Sequence, residues 1–185
     1  MSAVTDRELL FSVDIEASGP TPSTGSLIAL GACLIDDDGQ SFYRLIKPLP
    51  GLAWSESAER VHRLPQWLVE RDGLDPQIAM ADFAGWVDGL ADGRQPVFVG
   101  WNAGFDWMFV ADYLERCVGR NPFGFAPLDM KAYVMGLHQL PRWADTQRRE
   151  LDSRYGPADP MTHNALDDAR QQARFFRRVL SEGRS

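Results

Sequence analysis

The chain has 185 residues, 44% of them hydrophobic, and a formal net charge of −7, so it is long enough for a substantial core and too apolar for a disordered chain. An acidic chain lacks the phosphate-neutralising surface that tight, sequence-independent binding to long nucleic acid requires. Carboxylates that hold metal ions still count as negative in that sum, although their charge is cancelled in a working site.

No apolar run approaches the ~18 residues of a membrane span. The opening "MSAVTDRELLFSVDIE" places an acid and a base ahead of any apolar run, unlike a secretory leader. The two cysteines, Cys33 and Cys117, sit in apolar contexts and read as buried free thiols. These features together predict a cytoplasmic protein with no membrane partner. With no repeat or long linker in view, residues 1–185 are expected to form one domain.

The first predicted element is the strand "LLFSVDIE". A second strand follows from Ser26 to Asp36, closed by the turn signal "DDDG", and a third, "QSFYRLIKP", ends at Pro48. The short links predict an antiparallel meander. Helical patterns follow over Ser55 to Arg63 and Pro76 to Leu90. In the second of these, Ile78, Ala81, Phe83, Trp86, Val87 and Leu90 form a broad apolar stripe. "PVFVGWN", from Pro96 to Asn102, is a buried strand feeding a helix that runs to about Cys117, with Asn102 as its expected N-cap. "APLDMKAYVMGL" holds a short fifth strand, and helices are predicted over Arg142 to Arg154 and Asn164 to Ser181. Three meander strands followed by strands alternating with helices give an α/β chain with a mixed sheet covered by helices.

Three stretches carry charge where the pattern predicts core. Asp14 and Glu16 stand one residue apart in the first strand, so their side chains share a face. One reading is a strand end whose acids reach solvent. The other is a metal pair, because buried carboxylates are costly unless paired or bound to a cation, and all-oxygen acidic sites suit magnesium or manganese. Asp106 lies in the first turn of its helix among Phe105, Trp107, Met108 and Phe109, where a helix-dipole role is the simplest alternative. In "HNALDDARQQARFFRRVL", Leu166, Ala169, Ala173, Phe176 and Leu180 form the apolar stripe and Asn164 is a good N-cap. Asp167 then falls where an acid helps close a capping box. At ~100° per residue it lies away from the stripe, while Asp168 lies at the stripe's border and is aimed at the protein body. His163 precedes the helix, with a solvated loop histidine as the plain alternative.

Taken together, "DIEASG" with Asp14 and Glu16, "NAGFD" ending in Asp106, and "HNALDD" with His163 and Asp168 in an H-x-x-x-x-D spacing resemble the DEDDh exonucleases. That family includes the bacterial polymerase proofreading subunit, ribonuclease T and oligoribonuclease. The resemblance covers nearly the whole chain in motif order.

It implies a ribonuclease-H-like fold, a five-stranded mixed sheet flanked by helices. It also implies a metal-dependent 3′-5′ exonuclease that releases nucleoside 5′-monophosphates from single-stranded DNA or RNA 3′ ends. Asp14, Glu16, Asp106 and Asp168 would hold two divalent cations, Mg2+ or Mn2+, flanking the scissile phosphate. His163 would take the proton from the attacking water, a task suited to a side chain whose ordinary pKa is about 6.5, and the Gly- and Pro-rich "GPADPMTHN" would form the loop that carries it. Several relatives are dimers, which extends the expectation to a homodimer. The alternatives are a non-catalytic nucleic-acid-binding module on the same fold and an endonuclease.

Two departures concern substrate contacts. Ala17-Ser18-Gly19 stands where the first motif often has Thr-Thr-Gly, and Trp101 stands where His often precedes the Asn. Asp129 matches a frequent family acid outside the four ligands and is expected to play a supporting role. Trp101, Phe105, Trp107 and Phe123 are candidates for stacking on bases, with core packing as the alternative.

Overall fold

Residues Glu8–Ala17 form strand β1, whose side chains alternate between two different environments. Phe11, Val13 and Ile15 enter one apolar cluster. On the opposite face, the Ser12 hydroxyl donates to the carbonyl of Ala169 (2.8 Å), and Asp14 and Glu16 follow in register. The computed structural model describes residues 7–156 and 160–183. Residues 157–159, within the stretch expected to form the loop before His163, lie outside that range.

β2 (Leu27–Leu34) and β3 (Ser41–Leu45) complete the predicted meander. The helices α1 (Glu56–His62), α2 (Gln66–Asp72) and α3 (Pro76–Ala91) follow, then β4 (Gln95–Gly100) and α4 (Gly104–Val118). β5 is only Leu128–Asp129 and runs directly into α5 (Met130–Leu137). Two 3-10 turns, Trp143–Thr146 and Arg148–Leu151, lead to α6 (Asp152–Tyr155), and α7 spans Ala165–Glu182. The sheet order is β3-β2-β1-β4-β5, with β4 parallel to β1 and β5 parallel to β4. This is the ribonuclease-H-like arrangement, with helices on both faces.

On one face, α3 and α4 bury Phe11, Phe83 and Phe98 in a cluster whose rings meet Phe123 mostly edge-on, at centroid distances of 5.6 to 6.0 Å. On the other, α7 packs with Cys33, Val99 and Phe176 in a second cluster. Gly31 of β2 pairs with Asp14 across the sheet and admits the backbone of α7. A Cβ there would lie 2.2 Å from the backbone of Ala165 and Leu166. The helix is therefore seated against the strand that carries Asp14. Gly31→Ala must push α7 outward. The expected result is a stability loss of about 1–3 kcal/mol, as for overpacked cores, with nuclease activity falling alongside it. Thermal melts and a strand-shortening assay check this, and wild-type values in both would refute the close seating.

Several local expectations are corrected. The segment over Arg142 to Arg154 is not one helix, because Gln147 is extended (ψ 141°) between its two short turns. Asn102 does not cap α4. It adopts a left-handed φ of 62°, Ala103 occupies the cap position, and the Ala103 N–H donates to Asp129 Oδ2 instead (2.7 Å). Cys33 is buried as expected, but Cys117 is only half-buried. On α7 the buried face comprises Ala165, Asp168, Ala169, Gln172, Ala173, Phe175, Phe176 and Val179, rotated from the expected stripe towards Asp168.

Candidate active site

The C-terminal ends of the parallel strands β1 and β4 meet the start of α4 and the start of α7, and a cleft of about 200 Å3 opens there. Crevices at strand ends of this kind are where α/β sheets place their chemistry. Asp14, Glu16, Asp106, His163 and Asp168 all line it. Oxygen or nitrogen atoms of Glu16, His163 and Asp168 converge to within 4.8 Å of one another. Residues separated by more than 150 positions in the sequence are thus brought to one point.

Three of the four acids are oriented by hydrogen bonds from the protein. The Gln172 side-chain amide donates to Asp14 Oδ1 (2.6 Å) while its carbonyl accepts from the Trp101 backbone N–H (3.0 Å). The Ile15 N–H donates to Asp106 Oδ1 (3.1 Å). Asp168 receives three bonds: its Oδ1 accepts from the Thr162 N–H (2.9 Å) and hydroxyl (3.0 Å), and its Oδ2 from the His163 N–H (2.9 Å). Asp168 therefore pins the backbone that carries His163, a residue held at a left-handed φ of 55°.

Asp167 is exposed and points away from the cleft. The expected capping box does not close, since the Asn164 N–H is taken by the Thr162 hydroxyl (3.2 Å). The Asn164 side chain caps the Leu166 and Asp167 N–H groups (3.1 and 3.2 Å), as expected of an N-cap.

Sequence reasoning missed Gln172, although its position four residues after Asp168 on the buried face was a readable signal. It also missed His62. That ring is buried, its Nδ1 accepts from the Leu64 N–H (3.0 Å), and its Nε2 has no hydrogen-bond partner among the described residues. Burial lowers its pKa, and the nearby His163 adds to the effect against the opposing pull of Glu59.

Of the aromatic candidates, Trp101 and Phe105 line the cleft, whereas Trp107 and Phe123 pack against Phe98. Ser18 is buried and its hydroxyl is fully engaged, donating to the Ala53 carbonyl (2.9 Å) and accepting from the Ser26 N–H (2.8 Å). The departure at that position is thus a matter of folding the loop. Asp129 caps α5 by accepting from the Ala132 N–H (2.9 Å) and fixes the start of α4.

Burial, followed by the charges of Asp106, Glu16 and Asp168, holds the Asp14 carboxyl well above its ordinary range. Burial first, then Asp168 and Asp106, pushes Glu16 up to about 8. Burial raises Asp106 to about 7, against the bond from Ile15. This is a crowded, all-oxygen set that resists ionisation until a positive charge arrives, and its hard donors fit magnesium or manganese.

The consequence for stability has a definite sign. Between the ordinary carboxylate pKa of about 4 and the folded value of about 8 for Glu16, the folded state binds more protons than the unfolded chain. The acid cluster's contribution to the stability of the metal-free protein therefore falls as pH rises through that window, and it outweighs the opposite, smaller contribution of His62, whose pKa is lowered. Chelator-treated protein should melt at a lower temperature at pH 8 than at pH 5. Manganese should restore more at pH 8, with stabilisation of about 2.7 kcal/mol at a hundredfold excess over Kd. Calorimetric melts read this, and a metal-free melting temperature that climbs from pH 5 to 8 would contradict the buried acid cluster.

The fold is one shared with a nuclease of the DEDDh family, and the family and relative that the chain matches make it a 3′-5′ exonuclease, with an acid-lined cleft whose carboxylates could hold divalent metal ions. The model of the 3′-5′ exoribonuclease Rv2179c-like domain family matches residues 10–180, and the chain belongs to that family. It is 38% identical over 181 residues to the 3′-5′ DNA exonuclease Cap18 of Escherichia coli, covering 96% of each chain. Among solved structures it is similar to the nuclease domain of 3′hExo, a DEDDh family member, bound to rAMP, with a TM-score of 0.73, 18% identity, and 95% of this chain and 92% of that chain covered. It is also similar to E. coli Exonuclease I in complex with a dT13 oligonucleotide, with a TM-score of 0.71 and 15% identity, covering 95% of this chain and 41% of that chain. Among the described residues no helix is long and apolar enough to cross a membrane.

Proposed function

We propose that the chain removes nucleoside 5′-monophosphates one at a time from free 3′ ends of single-stranded DNA or RNA. In this reading Asp14, Glu16, Asp106 and Asp168 hold two divalent cations, Mg2+ or Mn2+, and His163 acts as the general base. The observation that carries it is the convergence of all five side chains on one cleft, three of them within 4.8 Å. The cations would supply Lewis-acid activation of water and neutralisation of charge on the phosphate.

The protein's own groups do the rest. A nitrogen of His163 takes the proton of the attacking water as the new O–P bond forms. The P–O3′ bond to the next nucleotide breaks, and the 3′ oxygen leaves with a proton from solvent. The phosphate stays on the 5′ carbon of the released nucleotide. Thr162 and Asp168 hold the His163 backbone in place, Gln172 keeps Asp14 turned into the cleft, and Ile15 does the same for Asp106.

The Cap18 relative is named for DNA and the family for RNA, so both belong in the test. 5′-labelled DNA and RNA single strands are digested in manganese and resolved by length. A ladder receding from the 3′ end in single-nucleotide steps, stopped by a chelator, is the expected result. Internal cuts would indicate an endonuclease, and intact strands that nevertheless bind would indicate a binding module.

A further inference from the structure

Gln172 lies on the buried face of α7, one turn after Asp168, and reaches the fork where β1 and β4 part. The two strands pair in parallel only as far as Ser12 and Val99. β1 then continues to Ala17 beside β2, and β4 continues to Gly100 beside β5. The Gln172 amide spans this fork. Its carbonyl oxygen accepts from the Trp101 N–H (3.0 Å), between β4 and α4, and its nitrogen donates to Asp14 Oδ1 (2.6 Å) on β1. The amide has one orientation, because a backbone N–H can only donate and therefore takes the oxygen.

A second bond crosses the same fork in the other direction. The Ile15 N–H, next to Asp14 on β1, donates to Asp106 Oδ1 on α4 (3.1 Å). Asp14 is thus held from the root of α4, and Asp106 is held from β1. The two carboxylates are cross-braced, and each brace joins segments far apart in the sequence. Glu16, by contrast, accepts no hydrogen bond from the described residues, so the set combines stiff acids with an adaptable one.

Stiffness has a chemical consequence for a site of this composition. Magnesium is small and demands near-octahedral geometry, and manganese shares its taste for octahedral oxygen sets. Calcium is larger and accepts irregular sets of oxygens, so cavity size and ligand flexibility decide between them. We propose that Gln172 is a positioning residue for cation selectivity: by fixing Asp14 against Asp106 it favours the small cations, magnesium and manganese, over calcium. The proposal rests on the reading of the four acids as cation ligands. It goes beyond that reading in assigning the choice of cation to an uncharged residue outside the ligand set.

The test is calorimetric titration of metal-free protein with manganese and, separately, with calcium, in the absence of any strand. Gln172→Met keeps the length of the side chain and removes both bonds. Its manganese affinity should fall about 10–100-fold, the usual cost of losing an outer hydrogen-bond partner of a metal ligand, while its calcium affinity moves by no more than about threefold. The ratio of the two affinities is the deciding quantity, since a merely structural loss would lower both together. Strand shortening by the variant should require correspondingly more manganese. Gln172→Asn, one methylene too short to span both partners, should shift the ratio in the same direction. It carries the test if Gln172→Met lacks a cooperative melt. Equal losses for both cations, an unchanged manganese affinity in a folded variant, or a wild type with no preference for manganese overturns the proposal. A wild type that binds neither cation overturns the ligand reading and the proposal with it. A wild type that prefers manganese, loses that preference on substitution of Gln172, yet never shortens a strand would leave the proposal standing and overturn the exonuclease reading instead.

Discussion

Asp168→Ala will show no detectable strand shortening, a loss of at least about 10²–10³-fold, the scale on which a single preorganised charge-stabilising group acts. Asp167→Ala will retain near wild-type activity. The two acids are neighbours in sequence, yet α7 turns Asp168 into the cleft and leaves Asp167 in solvent. Asp168 has two tasks that alanine cannot perform. It contributes a carboxylate to the converging cluster, and it accepts three hydrogen bonds that hold Thr162 and His163. Asp167 makes no capping-box bond, because Thr162 already occupies the Asn164 N–H. Its loss should cost only the helix-dipole contribution of about 0.3–1 kcal/mol. Strand-shortening rates and denaturant melts on both variants decide the matter. Complete inactivation of a well-folded Asp167→Ala protein would show that the rotation of α7 has been misassigned.

The features that were legible in the sequence are those set by short-range pattern. The strands stood out because apolar runs bounded by turn residues have few alternatives, and the positions of Asp14, Glu16 and Asp168 followed from the periods of strand and helix. The features that were not legible depend on partners far away in the chain. Asn102 has the chemistry of an N-cap, but Asp129 reaches the start of α4 from 26 residues further on, and nothing local to Asn102 announces that bond. The stretch from Arg142 to Arg154 has helical composition. Yet Lys131 sits over the Trp143 ring at 4.3 Å and Phe175 takes Arg148, so tertiary contacts accompany a break at Gln147 that propensity does not show. α2 has seven residues and no side-chain cap, too short for periodicity to register. The apolar stripe of α7 was drawn through the larger residues Leu166 and Leu180. The buried face keeps Ala169, Ala173 and Phe176 of that stripe but replaces the two leucines with Ala165, Asp168, Gln172, Phe175 and Val179, where Gly31 lets the helix backbone approach closely at Ala165. That approach turns Gln172 inward along with Asp168, so the missed polar residue and the misplaced stripe have one cause.

His163→Ala is expected to slow the reaction by about 10²–10⁴-fold, the usual contribution of a positioned general base, while leaving manganese binding intact. The structure makes this a demanding test. His163 converges with Glu16 and Asp168 closely enough to serve as a ligand in its own right, so proximity does not separate the two roles. The chemistry of the set does. Four carboxylates, three of them held above their ordinary pKa by burial and one another's charge, already provide the hard oxygen donors that magnesium and manganese favour. An imidazole adds little to such a set but is well suited to carrying a proton. The His163 backbone is bonded to Asp168 Oδ2 through its N–H, an arrangement that truncating the side chain leaves in place. The variant should therefore keep both its fold and its acid cluster. Titration calorimetry with manganese should give an affinity within a few-fold of wild type, and added imidazole should recover part of the lost rate. If the variant binds no manganese under conditions where the wild type does, His163 is a ligand, and the proton of the attacking water must be taken by another group.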